Sequence, residues 1–171
     1  SCTDGSEVCT SGSSFEGNHV LKEVYRTYGI LMAYSSNNIV SGNKLFTTSK
    51  LNQTLSPTAS TNSIVGIDLY YNTHNNIISD NEVTVYGMDN YIYGVGVLGY
   101  YTGHDAPEGQ GATNNQFINN VIVLNGTYCV EGIIIGDESE NTTISGNIVD
   151  ARCANVSYGI NLEMSQNSAI R

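Results

Sequence analysis

Five stretches of the chain set a glycine just ahead of alternating apolar residues: Tyr28-Gly29-Ile30-Leu31-Met32, Val65-Gly66-Ile67-Asp68-Leu69, Tyr93-Gly94-Val95-Gly96-Val97, Glu131-Gly132-Ile133-Ile134-Ile135 and Tyr158-Gly159-Ile160-Asn161-Leu162. Each leads through a polar corner to a second block, in which an apolar residue stands three positions before an asparagine: Val40-Ser41-Gly42-Asn43, Ile78-Ser79-Asp80-Asn81, Phe117-Ile118-Asn119-Asn120 and Ile144-Ser145-Gly146-Asn147. Phe15-Glu16-Gly17-Asn18 has the form of that second block, in a coil lacking its first half. Side chains alternate across a strand, so the first and third residues after each glycine face inward. They form two columns, Ile30, Ile67, Val95, Ile133, Ile160 and Met32, Leu69, Val97, Ile135, Leu162. A second wall takes Phe15, Val40, Ile78, Phe117, Ile144 and Ile170, and a third takes Val20, Leu45, Val83, Ile122 and Val149.

Three short strands per repeat, each feeding a column, close into a triangular coil. The pattern predicts an all-β chain, a right-handed parallel β-helix of about five stacked coils with three short strands each. One coil buries about five aliphatic side chains, worth roughly 8–15 kcal/mol before chain entropy is subtracted. That sum does not hold a coil alone, so neighbours must supply the stacking surface. The asparagine column Asn18, Asn43, Asn81, Asn120, Asn147 suits sharp left-handed corners and amide-to-amide hydrogen bonds along the axis. From Gly29 to Gly66 to Gly94 to Gly132 to Gly159 the steps are 37, 28, 38 and 27 residues. The short steps are bare coils, and the excess in the long ones predicts surface loops near 48–63 and 102–113. Residues 1–171 read as one domain.

Four cysteines, Cys2, Cys9, Cys129 and Cys153, lack zinc-ligand spacing and predict two disulfides in an oxidising, extracellular setting. Cys129 and Cys153 precede successive glycines 24 residues apart (153 − 129), close to one coil. That spacing predicts a staple between adjacent coils, with Cys2–Cys9 closing an N-terminal loop over 1–13. Sequons at Asn52, Asn125, Asn141 and Asn155 are glycosylation candidates of the same setting. The chain begins without a signal peptide, as a mature secreted chain or an excised piece of one would.

Charge narrows the partners. The net charge is −10, and no lysine or arginine lies between positions 51 and 151. Nucleic-acid binding needs a basic stripe, so it is not expected, and no apolar run reaches the length of a membrane span.

Gly66-Ile67-Asp68-Leu69 followed by Asn75-Asn76-Ile77-Ile78-Ser79-Asp80-Asn81 resembles the parallel β-helix repeats of pectin-lyase-like proteins, and in particular the degenerate repeats of archaeal, especially methanogen, surface proteins. The resemblance covers residues 14–171. It implies the fold, but that fold hosts lyases, hydrolases, epimerases, tailspikes and envelope proteins alike. Enzymes of the superfamily carry their chemistry on outward residues of one sheet. The outward column here is Leu31, Asp68, Gly96, Ile134 and Asn161, in which only Asp68 can serve as acid or base. A glycosidase would pair it with Asp80 or Asp89. A uronate lyase or epimerase would need calcium in place of the absent cations. Alginate epimerases carry Asp-Pro-His-Asp where this chain reads Asp68-Leu69-Tyr70-Tyr71, so that signature does not carry over.

No catalytic residue is therefore assigned beyond the weak candidate Asp68. His74 reads as a solvated corner, and His104-Asp105 has no visible nucleophile partner. Asp137, Glu138 and Glu140 form the one dense acidic cluster, a weak Ca²⁺ candidate without the spacing of a dedicated loop. No other cofactor is expected. Tyr70, Tyr71, Tyr100 and Tyr101 could stack on sugars or on a neighbouring subunit.

The repeats start halfway round a coil before Phe15 and stop halfway round one at Ser168-Ala169-Ile170-Arg171. Raw ends of that kind are complementary: a mature chain of this form would stack on copies of itself, end to end and also laterally, whereas in a fragment the missing coils would lie in the rest of the protein. The expectation is an extracellular cell-envelope, sheath or filament protein. The alternative is a carbohydrate-active enzyme or glycan-binding module.

Overall fold

The computed structural model describes residues 15–16, 26–49, 63–70, 72–87, 91–98, 111–127, 129–136, 139–162 and 166–171. Among them there is no helix. The strands are β1 (Phe15–Glu16), β2 (Arg26–Ala33), β3 (Ile39–Ser41), β4 (Lys44–Ser49), β5 (Ser63–Tyr70), β6 (Ile77–Ser79), β7 (Glu82–Gly87), β8 (Tyr91–Leu98), β9 (Gln116–Ile118), β10 (Val121–Gly126), β11 (Cys129–Gly136), β12 (Thr143–Ser145), β13 (Ile148–Cys153), β14 (Val156–Leu162) and β15 (Ala169–Ile170). They form three parallel sheets in which every third strand is a neighbour: β1-β4-β7-β10-β13, β2-β5-β8-β11-β14 and β3-β6-β9-β12-β15. The chain visits the three sheets in rotation, which is the topology of a parallel β-solenoid.

The predicted columns are the observed register. Ile30, Ile67, Val95, Ile133 and Ile160 pair in succession, as do Met32, Leu69, Val97, Ile135 and Leu162. Val40, Ile78, Phe117, Ile144 and Ile170 line a second sheet, and Leu45, Val83, Ile122 and Val149 a third. Two further columns complete the core. Thr47, Val85, Leu124 and Ala151 stack beside the third wall. Ile64 and Val130 lie buried one residue beyond the strand's outward position, on the far side of the glycine.

The glycines do not open the strands as the sequence suggests. Gly29, Gly66, Gly94, Gly132 and Gly159 are each the fourth residue of a long strand. Ile64 and Ile67 both belong to the core, so alternation breaks at Gly66 and the strand bends. A Cβ at Gly66 would lie 2.5 Å from the Gly94 carbonyl oxygen and 2.3 Å from Val83 Cγ1 on the facing wall. Only glycine lets the coils approach that closely at the bend.

Phe15 departs from its assigned wall and pairs with Leu45 rather than Val40. An apolar residue alternating with a polar one fits either wall, so the local pattern could not choose between them. Asn18 and Val20 lie outside the described residues. The loop placed at 102–113 ends sooner than expected, because Ala112 is in the core and Thr113 bridges to His74 and Glu140. At the other loop, strand β4 runs on to Ser49.

The asparagine ladder is present, with its polarity resolved. Asn43 Nδ2 donates to Asn81 Oδ1 at 3.0 Å, Asn81 Nδ2 to Asn120 Oδ1 at 2.9 Å, and Asn120 Nδ2 to Asn147 Oδ1 at 2.9 Å. Each oxygen also accepts the backbone N–H of the same donor residue. The left-handed backbone, however, belongs to the residue before each ladder position: Gly42, Asp80, Asn119 and Gly146. An Asn in the corner itself would turn its amide outward, whereas one step later the side chain points into the stack. A second, unforeseen ladder runs Asn38, Asn76, Asn115, again with left-handed residues just before it, at Asn37, Asn75 and Asn114.

Candidate functional site on the outer face of the glycine-bent sheet

The bend at the glycine decides which side chains leave the core. In β5, Ile64, Ile67 and Leu69 pack inside while Val65 and Asp68 face the other way; in β11, Val130, Ile133 and Ile135 pack inside while Cys129, Glu131 and Ile134 do not belong to the core. The register aligns Leu31, Asp68, Gly96, Ile134 and Asn161 in one outer column and Tyr28, Val65, Tyr93, Glu131 and Tyr158 in another.

These outward positions are not all open to solvent: Leu31 and Asn161 are half-buried, Asp68 is 0% exposed and Ile134 is buried. Glu131, at 7%, is a second buried carboxyl on the same face. Glu131 Oε2 accepts Asn161 Nδ2 at 2.9 Å, and Cys129 Sγ lies 3.8 Å from Oε1. A buried carboxyl survives only with hydrogen-bond partners, and here the partners described are neutral.

Asp68 and Glu131 sit on β5 and β11, with β8 between them, and three residues apart in register. Two strand spacings, about 9.5 Å, combined with three residues along the strand, about 10 Å, put the two backbones roughly 14 Å apart. That exceeds both the ~5–5.5 Å and the ~6.5–9.5 Å separations of glycosidase carboxyl pairs. The partners first considered for Asp68 do not join it. Asp80 is an exposed corner residue on another part of the coil, and Asp89 lies outside the described residues. Glu131 was missed because it occupies a position that is Tyr or Val in every other coil. A lone carboxylate in an aromatic and aliphatic column was the available signal.

No cation reaches this face from the described ion pairs. Lys44 pairs with Glu82 at 2.6 Å and Arg152 with Asp150 at 2.5 Å, both on the outer face of the third-wall sheet. The Arg152 guanidinium holds the Asp150 carboxyl below its usual range, first through the hydrogen bond and then through charge.

The remaining predicted positions scatter. His74 spans a corner: Nε2 meets Asn72 Oδ1 at 2.8 Å, and Nδ1 meets Thr113 Oγ1 at 2.9 Å while accepting the Thr113 N–H at 3.3 Å. It is half-buried and stitches two coils together. Asn125, Asn141 and Asn155 are exposed, as glycan acceptors must be; Asn52 lies outside the described residues. Glu140 bridges Thr113 and Gln166 through its backbone, while Asp137 and Glu138 lie outside the described residues. No group of three metal-binding side chains occurs among the described residues. No described helix is long and apolar enough to cross a membrane.

The expected Cys129–Cys153 staple is not formed. Cys129 pairs with Val156, 27 residues on (156 − 129), while Cys153 pairs with Gly126 in a different sheet. A spacing of 24 is three residues short of the coil, which puts Cys153 before the corner and Cys129 after it. Cys153 Sγ instead donates to Val156 O at 2.8 Å and accepts the Asn155 N–H at 3.3 Å. Cys2 and Cys9 lie outside the described residues.

Comparison with protein-family models, with curated proteins and with solved structures finds no match to this chain.

Proposed function

We propose that this chain is an extracellular structural protein of a cell envelope, sheath or filament. In this reading it is a right-handed β-helix of about five coils with three strands each, and it assembles end to end. The observation that supports this best lies away from the chain ends: Phe46 is 49%, Tyr86 41%, Val121 37% and Val123 38% exposed along one sheet. A contiguous exposed apolar surface is a site for contact with another chain. The low charge, the exposed sequons and the absence of a basic patch in the middle hundred residues fit a secreted surface component. Lateral contact has a flat apolar surface available, since Phe46, Tyr86, Val121 and Val123 are exposed on one sheet's outer face. Negative-stain microscopy across a concentration series tests the reading. Rods, rings or sheets are expected, and a monomer that persists at every concentration overturns it.

A carbohydrate-active role is the second reading, favoured by Asp68 and Glu131 on the outer face of one sheet. It predicts cleavage, epimerisation or binding of a polysaccharide that Asp68→Asn abolishes while the melting temperature holds.

A further inference from the structure

We propose that Asn125 carries an N-linked oligosaccharide whose first sugar packs on the ring of Tyr86. The inference rests on the extracellular reading above and assigns a modification to the sheet face that the same reading offers to a neighbour.

The first support is an asparagine that the fold does not use. Among the described residues only two asparagines lie inside strands, Asn125 in β10 and Asn161 in β14. Asn161 donates its amide to Glu131. The Asn125 side chain makes no hydrogen bond among the described residues, stands in neither ladder, and has no left-handed backbone. Asparagine is depleted in strands, so β10 itself gives no reason for it. The other two described sequons have local reasons for their asparagine: Asn141 turns a left-handed corner, and the Asn155 N–H closes a tight turn on Cys153 Sγ. At Asn125 the reason left is the triplet Asn125-Gly126-Thr127, an acceptor sequence with no proline in the middle.

The second support is what surrounds it. Thr48, Tyr86, Asn125 and Arg152 form one row across β4, β7, β10 and β13. Tyr86 is 41% exposed, and Asn125 is exposed on the same outer face. Strands β7 and β10 each have a partner strand on both sides, so this exposure belongs to the face and not to an end of the chain. Adjacent strands lie about 4.8 Å apart, which sets a phenol ring beside any sugar on Asn125 Nδ2. The C–H face of a pyranose packs on such a ring, and the ring's hydroxyl stays wet. Val123, two residues earlier on the same face, extends the apolar strip. On the other side Arg152, held in place by Asp150, offers guanidinium donors to sugar oxygens. A glycan seated there covers the Tyr86 row and leaves Phe46 and Val121 to a lateral neighbour.

The donor is a polyisoprenyl-phosphate-linked oligosaccharide, supplied with its transferring enzyme by the secretory route. Asn125 Nδ2 attacks C1 of the first sugar. The N–C1 bond forms, and the C1–O bond to phosphate breaks with its electron pair going to the phosphate oxygen. The amide gives up one proton to a base of the transferring enzyme.

Peptide mapping by mass spectrometry of the full chain from its own cells is expected to find an oligosaccharide on Asn125. Unmodified Asn125 in protein recovered from the cell surface overturns the proposal and leaves the extracellular reading standing. Unmodified Asn125 in protein found only inside the cell overturns both. The packing is read from a cycle of the parent, Asn125→Gln, Tyr86→Ala and the double variant, all secreted by glycosylating cells. Loss of the glycan is expected to lower the melting temperature by roughly 2–4 °C with Tyr86 in place, and by under about 1 °C in the Tyr86→Ala background. Equal losses in the two backgrounds overturn the seat on Tyr86.

Discussion

The first and last coils are built from the same motif and end up in opposite states. Ile30, Met32, Val40 and Leu45 are as buried as any residue in the middle of the stack, whereas Ile160 and Val149 are half-covered and Leu162 and Ile170 open. The repeat determines which way a side chain points; burial depends on whether a neighbour lies beyond it. In the first of these coils Asn43 Oδ1 is buried without a donor, and in the last Leu162 and Ile170 are exposed. Stability in a stack belongs to the interfaces between coils more than to the coils.

The glycines break this comparison hardest. Gly132→Val drives a side chain to 2.1 Å from Val149 Cγ1 and 2.4 Å from the Gly159 carbonyl oxygen. We expect loss of about 3 kcal/mol or more, or failure to fold, in thermal melts followed by circular dichroism, where Gly159→Val in the monomer costs little. Truncation of column residues comes next. Leu69→Ala, in the middle of its column, should cost about 2–5 kcal/mol by denaturant unfolding. Leu162→Ala, at the open end of the same column, should cost under about 1 kcal/mol, because little is buried there to lose.

The ladder sharpens the comparison further. Asn120→Ala leaves the backbone N–H of Asn81 and the buried amide of Asn81 without their acceptor. A loss of about 2–3 kcal/mol is expected, against roughly half that for Asn147→Ala nearer the end. The smallest effect belongs to Asp150 and Arg152 on the last coil. The depressed Asp150 pKa means the folded state holds this carboxylate charged more readily than the unfolded state does. Its contribution is present above the ordinary aspartate range and fades as pH falls through the folded value. The pair is open to solvent, with the Arg152 side chain 74% and the Asp150 side chain 40% exposed, so Asp150→Asn should flatten the acid limb of the stability profile only slightly and less still in high salt.

Much of this fold was legible because a period of two combined with a regular glycine leaves few registers. Ile30 through Ile160 fell into one column with no structural information at all. The misreadings share a cause, which is that position along the chain was known better than position around the coil. Cys129 and Cys153 looked stacked at a spacing of 24, and a three-residue error carried one of them past a corner into another sheet. The second ladder went unseen because Asn38, Asn76 and Asn115 give way to Thr142 and Ser168, so it has no fixed residue type along its length. The buried state of Asp68 could not be read from alternation, which distinguishes the two faces of a strand and says nothing about what lies over the outer one. Glu131 escaped for another reason, since its column is otherwise Tyr or Val.

The strands run across the long axis of the stack, and the hydrogen bonds between Asn43, Asn81, Asn120 and Asn147 run along it. A load applied around the girth is therefore borne by covalent backbone, while a load applied lengthwise is borne only by non-covalent bonds, coil upon coil in series. Such a body behaves like a grained material, hard to burst and easier to split. Under tension it would part at its least buried rung, leaving every coil on either side whole.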